Sequence, residues 1–469
     1  MAEKYDVVIV GAGPAGIFTA LELVTKKSGL KALILEKGHD IKRRHCPSKE
    51  TGSNCLHCKS CSVVSGWGGA GAFSDGKLTL SPEVGGWLSE YVTEQKVEEL
   101  ISYIDDIYLR FGGPEKVYGG PDDERIADIQ RQAVLADLKL IPAPIRHLGT
   151  GRTQEILQAM EDFLVENGVE VRTDTPVEEI LVKDNVVKGV VTCDGEEINA
   201  KYVVIAPGRE GSDWLRKVAN KLQLKLAVNP VDIGVRVELP APVMEHLTKV
   251  IYESKFIFYS KTFDDRVRTF CMNPYGEVVQ ENNEGLITVN GHSYADKTEK
   301  KTNNTNFALL VSKTFTEPFK EPIAYGRYVA RLANLLGEGV IVQRLGDLLA
   351  GRRTTEERLK RGLVEPTLKK ATPGDLSLVF PHRHLTAIIE MLAAMDKIAP
   401  GVYSRHTLLY GVEVKFYSSR LNLNSNLETN IQGLYAAGDG AGVTRGLAQA
   451  SAAGVIVSRA IMDSERVTK

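Results

Sequence analysis

The sequence has no apolar run that approaches the ~20 residues of a membrane-spanning helix, and it has almost no excess of charge. Its 58 Lys and Arg residues face 60 Asp and Glu residues, so the formal net charge is -2 at pH 7. Such a balance provides no field that would attract nucleic acid or an anionic membrane. No signal peptide is visible either, because the short apolar segment 7–10 leads directly into a glycine turn. We therefore expect a cytoplasmic protein that neither spans a membrane nor binds nucleic acid.

Cysteine is scarce as well, which excludes a disulfide scaffold. The chain of 469 residues contains six cysteines, and four of them fall between positions 46 and 61 in a C-x8-C-x2-C-x2-C array. A local reactive or metal site in a reducing compartment fits this pattern. The members of the array are Cys46, Cys55, Cys58 and Cys61.

Four interpretations of the cysteine array are open. The C-x2-C-x2-C core has the close spacing that holds a 4Fe-4S cluster, with Cys46 as the fourth ligand. Zinc also accepts four thiolates, although its sites usually pair two separated C-x2-C knuckles. The thiols could carry out redox chemistry, or they could bind no metal and take no part in catalysis. His45 and His57 are further potential ligands beside the array.

Near the first residue of the sequence, an apolar strand runs into a glycine turn. Segment 6–10 consists mostly of β-branched residues, and the motif G-x-G-x-x-G follows it directly. After this motif the sequence predicts a helix from about residue 15 to residue 25. A second strand, 31–35, delivers Glu36 twenty residues after Gly16, where an acceptor takes ribose hydroxyls. This pattern predicts a dinucleotide site whose pyrophosphate meets the helix N-terminus, and a carboxylate at this place disfavours NADP. The turn residues are Gly11, Gly13, Pro14, Ala15 and Gly16.

A second glycine-rich stretch, 65–77, follows the cysteine array. Five glycines in 13 residues remove side chains along the backbone, so main-chain amides can approach a flat ligand. The flanking aromatics Trp67 and Phe73 make a flexible linker the less favoured alternative. We expect cofactor contacts in this stretch from Gly68, Gly69, Ser74 and Lys77.

The remaining pattern predicts two domains, as the length also suggests. Segments 1–215 and 405–469 are predicted to form a discontinuous α/β domain of Rossmann-like, three-layer type with a parallel sheet, carrying a mainly helical excursion over 81–150. Alternating strands and two helices over 216–404 predict an inserted, β-rich α+β domain that covers the substrate. A strand over 201–208 is predicted to return to the parallel sheet before Gly208.

The last part of the chain repeats the strand-to-glycine pattern. Segment 430–437 runs into Gly438-Asp439-Gly440, and a helix rich in small residues follows over about 446–462. Asp439 can bind a ribityl or phosphate oxygen, and the N-terminal dipole of the helix favours negative charge on a reduced flavin. Together with the first glycine turn, this second turn is more specific than either turn alone.

Segments 6–36, 202–208 and 433–453 together resemble the glutathione-reductase-like superfamily of FAD enzymes. Within it, the stretch 67–77, the segment 411–419 and the Gly438-Asp439-Gly440 turn resemble a group of uncharacterised FAD-dependent dehydrogenases. The resemblance implies non-covalent FAD, with Glu36 on the adenosine ribose and residues 446–448 near the pyrimidine edge of the flavin. The further residues expected at the cofactor are Lys37, Val177, Ala206, Gly208, Gly446, Leu447 and Ala448.

The expected function is an FAD-dependent oxidoreductase that passes hydride or electrons to a small organic substrate. The chain lacks a second full G-x-G-x-x-G motif for a nicotinamide nucleotide, so NAD(P)H is expected only as a transient donor, with an electron-carrier protein or the substrate as other sources. Catalytic residues are not assigned, and the weak candidates are His292, His382 and His384. The alternatives are a flavoprotein that acts on tRNA and a sensor that reports flavin or thiol redox state.

Overall fold

A computed structural model gives the structure of the protein over most of its length. It describes residues 4–47, 58, 60–73, 76–120, 123–227, 230–283, 285–293, 301–313, 315, 321–415 and 420–468. Cys55 and Ser74 of the predicted site residues lie outside this described part of the chain.

The chain divides into two units. Unit 1 consists of Met1–Val117, Ile145–Ala227 and Ser418–Lys469, and unit 2 consists of Tyr118–Pro144 and Val228–Tyr417. This division differs from the predicted boundaries in three places. Residues 118–144, which the sequence assigned to an excursion of the first domain, and residues 405–417 both belong to unit 2, whereas residues 216–227 belong to unit 1.

The strands and helices are numbered here in chain order. The strands in the described residues are β1 (Lys4–Val10), β2 (Ala32–Leu35), β3 (Lys77–Thr79), β4 (Val117–Tyr118), β5 (Lys139–Ile141), β6 (Ile145–His147), β7 (Glu170–Arg172), β8 (Val177–Lys183), β9 (Val186–Thr192), β10 (Glu197–Ile205), β11 (Leu226–Ala227), β12 (Val231–Pro240), β13 (Lys255–Tyr259), β14 (Arg266–Asn273), β15 (Glu277–Asn283), β16 (Leu286–His292), β17 (Asn304–Lys313), β18 (Ile341–Arg344), β19 (Thr372–Pro373), β20 (Leu408–Lys415), β21 (Arg420–Leu421) and β22 (Leu434–Ala436). The α-helices described are α1 (Pro14–Thr25), α2 (Glu94–Arg110), α3 (Glu124–Leu135), α4 (Thr150–Glu166), α5 (Ser212–Lys221), α6 (Ala241–Thr248), α7 (Pro322–Gly337), α8 (Leu345–Leu349), α9 (Glu356–Lys360), α10 (His382–Met395) and α11 (Leu447–Thr468).

Unit 1 is built on a largely parallel sheet. Its strand order is β7-β2-β1-β10-β9-β8, and β22 pairs with the end of β10. The pairs β1–β2, β1–β10, β2–β7 and β10–β22 are parallel, whereas β8 and β9 form an antiparallel hairpin. The first strand is buried along its second half because both faces of a parallel sheet are covered. The predicted α/β class with a Rossmann-like domain is therefore confirmed.

Unit 2 is dominated by an antiparallel sheet. Its order within the described residues is β19-β18-β20-β12-β17-β14-β13-β5. Alternate residues of β12 and β17, such as Val235 and Leu309, enter one hydrophobic core together with residues of α7 and α10. The edge strand β5 pairs with β13, which explains why residues 118–144 belong to this unit.

No helix of the described residues is long and apolar enough to cross a lipid bilayer. The predicted strand at 201–208 is part of the longer strand β10, which begins at Glu197 and ends at Ile205.

Candidate cofactor site

The glycine turn of unit 1 joins β1 to α1 in a very tight space. Gly11 has a φ of +107°, and a Cβ at this position would overlap the backbone oxygen of Ala206 at the end of β10. A Cβ on Gly16 would overlap the Gly11 oxygen. The first and third glycines are therefore required by the protein backbone itself, as the motif predicts.

The second glycine of the motif has a different environment. Gly13 is the N-cap of α1, its φ is -80°, and no side chain caps the helix. A Cβ built on Gly13 meets no protein atom within 4 Å. Open space in front of a 12-residue helix, next to its positive dipole end, suits a pyrophosphate group. The residues present therefore fit the phosphate part of FAD.

Glu36 follows β2 and is buried. Its Oε2 accepts a hydrogen bond from the Ala12 N–H at 2.9 Å, while its Oε1 accepts from the N–H groups of Gly38 and Gly66, each at 2.9 Å. Since a carboxylate oxygen has two lone pairs, Oε1 is fully used and Oε2 can accept one more donor. This geometry is compatible with the predicted ribose contact, and it adds a structural role that the sequence did not reveal.

The buried Arg44 holds the glycine-rich stretch 65–77 in place. Its Nη1 donates to the carbonyl oxygens of Trp67 and Gly69 at 2.6 and 2.9 Å, and its Nε and Nη2 donate to the carbonyls of Ser62 and Val63. Burial lowers the pKa of Arg44 to about 10, although the Glu36 charge acts in the opposite direction. Sequence reasoning missed this residue, since one arginine in a basic segment carries no pattern.

Through these bonds, the glycine-rich stretch lies against the turn between β1 and α1. The Gly68 N–H donates to the Ala12 oxygen at 2.8 Å, and a Cβ on Gly69 would be 3.2 Å from the Gly13 Cα. Gly68 and Gly69 are thus adjacent to the glycine turn, and their contact with the cofactor stays a prediction.

The C-terminal glycine turn also reaches the start of α1. A Cβ on Gly438 would be 3.1 Å from the Ala15 Cβ, and a Cβ on Gly440 would overlap the Gly208 oxygen. The Asp439 carboxylate accepts hydrogen bonds from the Thr444 hydroxyl at 3.0 Å and from the Gly446 N–H at 3.3 Å. The structure therefore brings together glycine turns that are more than 400 residues apart in the sequence.

Helix α11 packs closely on α1 behind this turn. A Cβ on Gly454 would overlap the Ala15 oxygen, and the Thr19 hydroxyl is within 3.3 Å of the Gly454 oxygen. The buried Glu22 of α1 binds Arg459 of α11 at 2.8 Å. Small residues at this interface let the two helices approach, which fixes the C-terminal turn relative to the first one.

A loop over 82–88 is fastened to the start of α11. The buried Gln449 side chain donates to the carbonyls of Pro82 and Val84 at 3.0 and 3.2 Å, and the Trp87 N–H donates to the Val443 oxygen at 3.0 Å. The Arg445 guanidinium lies 4.0 Å from the centroid of a Trp87 ring. No local pattern in the sequence predicts this contact, because the positions are more than 350 residues apart.

The other predicted residues have varied positions. Lys37 faces Glu210 at 3.9 Å on the surface of unit 1, Lys77 begins β3, and Val177 begins β8 and is buried. Leu447 and Ala448 occupy the first turn of α11, beside Gly446. These placements neither add to nor remove the predicted contacts with the cofactor.

The cysteine array stays a prediction. Cys46, Cys58 and Cys61 are described as free thiols, and among the described residues no three His, Cys, Asp or Glu side chains are grouped as metal ligands. Because Cys55 lies outside the described part of the chain, the complete quartet is not tested.

The three candidate histidines lie in unit 2, whereas the glycine turns lie in unit 1. His292 ends β16, and His382 and His384 occupy the first turn of α10. His384 is buried, neither ring nitrogen has a hydrogen-bond partner, and burial lowers its pKa to about 4. The lowered pKa favours the neutral form of this imidazole at neutral pH, and a catalytic role for the three histidines stays a prediction.

Two family models match parts of this chain. One is described as "FAD-dependent protein, C-terminal domain-like" and matches residues 230–416. The other, "Pyridine nucleotide-disulphide oxidoreductase", matches residues 136–239. A Clostridium beijerinckii protein named "Uncharacterized protein" is 29% identical over 481 residues, which covers 97% of this chain and 80% of that protein.

The solved structures that resemble this chain have much lower sequence identity to it. Quinol fumarate reductase from Escherichia coli is 15% identical with a TM-score of 0.43, and the match covers 100% of this chain and 72% of that chain. A 3-ketosteroid dehydrogenase from Rhodococcus jostii is 14% identical with a TM-score of 0.44, covering 98% of this chain and 97% of that chain.

Neither matched range contains the glycine turns of unit 1 at residues 11–16 and 438–440. Residues 230–416 match a family of FAD-dependent proteins and residues 136–239 match an oxidoreductase family, which together support an FAD-dependent oxidoreductase. The narrower resemblance to the glutathione-reductase-like superfamily stays a prediction.

Proposed function

We propose that unit 1 binds FAD without a covalent bond at its two glycine turns, and that the protein uses this FAD to oxidise or reduce a small organic molecule. The observation that carries the proposal is the open space at Gly13, since the protein itself gives no reason for a glycine there. Bound FAD supplies hydride or single-electron transfer. The chain's own residues supply binding and orientation.

In this proposal each part of the cofactor site has a separate role. The N-terminus of α1 holds the pyrophosphate, and the free lone pair of Glu36 Oε2 accepts a ribose hydroxyl. Asp439, which already accepts hydrogen bonds from Thr444 and Gly446, faces the ribityl side. The N-terminus of α11 favours negative charge at the pyrimidine edge of the flavin.

The decisive experiment replaces Gly13 by alanine. The protein has room for the methyl group and φ at this position suits alanine, so the midpoint of thermal unfolding without FAD should change by no more than about 1 °C. The methyl group would occupy the space assigned to the pyrophosphate, so the Kd for FAD should rise at least about tenfold, which corresponds to about 1.4 kcal/mol. Flavin fluorescence and absorbance measure this change.

Gly120→Ala is the matched control. Gly120 also has no protein atom within 4 Å of a built Cβ and has no left-handed φ, but it lies in unit 2. Its FAD affinity should equal that of the unchanged protein. An unaltered FAD affinity in Gly13→Ala would contradict the assignment of the pyrophosphate to this turn.

A further inference from the structure

The segment that follows β18 in unit 2 gathers arginine side chains around one buried carboxylate. The Asp347 side chain is 2% exposed. Its carboxylate oxygens lie 3.9, 3.0 and 4.0 Å from guanidinium nitrogens of Arg344, Arg352 and Arg358. The Thr354 hydroxyl also donates to this carboxylate, at 2.9 Å. One negative charge therefore faces three positive charges, so this ion-pair group carries two surplus positive charges.

Further basic side chains lie close to Arg344. The Nδ1 atom of His406 is 3.5 Å from Arg344 Nη2. Burial lowers the pKa of Arg344, and although the Asp347 charge opposes this shift, the charges of neighbouring arginines add to it. These neighbours are Arg352, Arg361 and Arg405. We call Arg344, Arg352, Arg358, Arg361, Arg405 and His406 the Arg344 cluster.

Arg344 is the buried member of this cluster. Its side chain is 7% exposed, and its Nη1 donates to the Arg358 carbonyl oxygen at 3.0 Å. Its Nε has no hydrogen-bond partner among the described residues. A buried cation requires a nearby negative charge or a full set of hydrogen bonds, whereas Arg344 shares one carboxylate with two other arginines. An anion bound at the cluster would supply the missing negative charge.

Two arginines of the cluster present their charge to solvent. The Arg352 side chain is 51% exposed, and within the described part of the chain it donates only through Nε, to Asp347. Arg405 is exposed, and the Gly346 N–H donates to its carbonyl oxygen at 3.1 Å, which places Arg405 beside α8. An arginine offers several N–H donors in one plane, and this geometry matches two oxygens of a phosphate group.

Hydrogen bonds fix the loop that carries Arg352. The Arg352 N–H donates to the Asp347 carbonyl oxygen at 3.0 Å, and the Gln343 side chain donates to the Arg352 carbonyl oxygen at 2.9 Å. The Arg344 N–H donates to the Thr354 hydroxyl at 2.9 Å. The cluster is therefore held in place before a ligand arrives, as a binding site requires.

The local charge contrasts with the balance of the whole chain. Segment 344–361 and residue 405 together contain seven Lys and Arg residues and three Asp and Glu residues, although the net charge of the chain is -2. Two of these three carboxylates, Glu356 and Glu357, are exposed at the start of α9. Segments 344–361 and 405–406 contain no Phe, Tyr or Trp for stacking on bases, which favours a small anion over single-stranded RNA.

We propose that the Arg344 cluster binds a phosphate group, either free or as part of a small phosphorylated molecule. Arg352 and Arg405 bind the phosphate oxygens, and Arg344 adds a fixed positive charge. A phosphate monoester carries about 1.5 to 2 negative charges at pH 7, so it matches two surplus positive charges better than a carboxylate does. This site is formed by unit 2 alone, and the inference goes beyond the proposed function.

The test uses isothermal titration calorimetry on the full-length protein saturated with FAD, so that phosphate does not compete for the glycine turns of unit 1. The probes are inorganic phosphate, glycerol 3-phosphate and acetate, at constant ionic strength because salt screens charge. At least one phosphate compound should bind at least about tenfold more tightly than acetate. The tighter of the two shows whether the site takes free phosphate or a phosphate ester, and either result supports the proposal.

Arg405→Gln is the main variant, and it should weaken phosphate binding at least about tenfold. Since it removes an exposed charge that faces other arginines, the midpoint of thermal unfolding without phosphate should not fall. Arg405→Lys, which keeps the charge, should retain a large part of the affinity. Arg352→Gln provides a second loss of charge, with the same expected effect on phosphate binding.

Arg131→Gln is the matched control. Arg131 is an arginine of α3 in unit 2, it is 72% exposed, and it pairs with Asp128 at 2.8 Å. Helix α3 precedes β5, which lies at the opposite end of the sheet from β18 and β19. Phosphate affinity in this variant should equal that of the unchanged protein.

No binding of either phosphate compound up to millimolar concentration, or equal binding of phosphate and acetate, would overturn the proposal. Unchanged phosphate affinity in both Arg405→Gln and Arg352→Gln would do so as well. An oligouridine that binds more tightly than both phosphate compounds, and loses affinity in the same two variants, would assign the cluster to nucleic acid instead. The calorimetric signal needs no turnover, so the result does not depend on whether the proposed redox function holds.

Discussion

The two units of this protein build their polar sites from different materials. In unit 1 the candidate site is made largely of backbone, with a glycine that leaves open space at the N-terminus of α1. In unit 2 the polar sheet face is made of side chains, with the Arg236–Glu413 pair at its centre. A backbone site depends on the absence of side chains at a few positions, whereas a side-chain site depends on the presence of matched charges. The two sites should therefore fail in different ways when they are mutated.

The largest loss of unfolding free energy is expected from removing a buried charge in unit 2. Burial alone would raise the pKa of Glu413, but Arg236 and Lys415 lower it below its ordinary value, so the group is ionised and paired. Glu413→Gln would leave the Arg236 charge buried without a carboxylate, at a cost of about 3–5 kcal/mol in unfolding free energy. Urea denaturation measures the loss.

An exposed ion pair of unit 1 provides the control for this charge removal. Glu90 pairs with Arg420 at 2.6 Å, and the Glu90 side chain is 48% exposed. Glu90→Gln should cost less than about 1 kcal/mol. An equal loss of unfolding free energy in Glu413→Gln and Glu90→Gln would contradict the claim that burial makes the ion pair of unit 2 the more costly one to break.

The next largest effect is a loss of stability at low pH, and it also involves a residue of unit 2. Burial lowers the pKa of His384 to about 4, below its ordinary value of 6.5, and Lys313 adds to this shift. Because the unfolded chain then binds the proton more tightly, stability is complete above pH 6.5 and is lost as the pH falls towards 4. The loss should reach about 3 kcal/mol. Urea denaturation at pH 7 and at pH 4.5 should show this slope, and in His384→Phe the part due to His384 should disappear.

A smaller loss of stability is expected in the backbone site of unit 1. In Gly11→Ala, the positive φ alone costs about 1–3 kcal/mol, and the new methyl group would collide with the end of β10. The variant should lose both stability and FAD, whereas Gly13→Ala should lose FAD only. Thermal unfolding together with flavin content separates the two outcomes, and a stable Gly11→Ala variant that keeps FAD would refute the explanation of the turn.

The smallest effect concerns a carboxylate on the surface of unit 1. Burial, with Asp40 and Asp162 nearby, raises the pKa of Glu161 to about 7. Its ionisation therefore opposes folding, so stability falls as the pH rises from 4.5 to 7. Glu161→Gln should stabilise the protein at pH 8 by at most about 1 kcal/mol, because solvent screens a partly exposed group. At pH 4 the variant and the unchanged protein should unfold at the same temperature.

The same contrast explains which parts of the protein could be predicted from its sequence. The glycine turn, Glu36 and the C-terminal turn follow local rules, because each lies within a few residues of a strand end. Strands β1, β10 and β22 were predicted for the same reason. The α/β class of unit 1 needed only these local patterns.

Long-range pairing could not be predicted in this way. Strand β5 has three residues, and its partner β13 begins more than 110 positions later, so nothing local indicates that residues 118–144 belong to unit 2. The Arg236–Glu413 pair joins residues 177 positions apart. Arg44 could not be identified from the sequence because its role depends on which loops become neighbours.

The bonds of Glu36 affect how any experiment on that residue must be understood. Its two oxygens bind the amides of Ala12, Gly38 and Gly66, so one side chain connects three separate loops before any nucleotide arrives. Glutamine would present an NH2 group to at least one of those N–H donors, and the loops would have to rearrange. A weaker affinity in Glu36→Gln would then contain the cost of reshaping the empty protein as well as the lost ribose contact, and the two contributions could be separated only by comparing the unliganded forms.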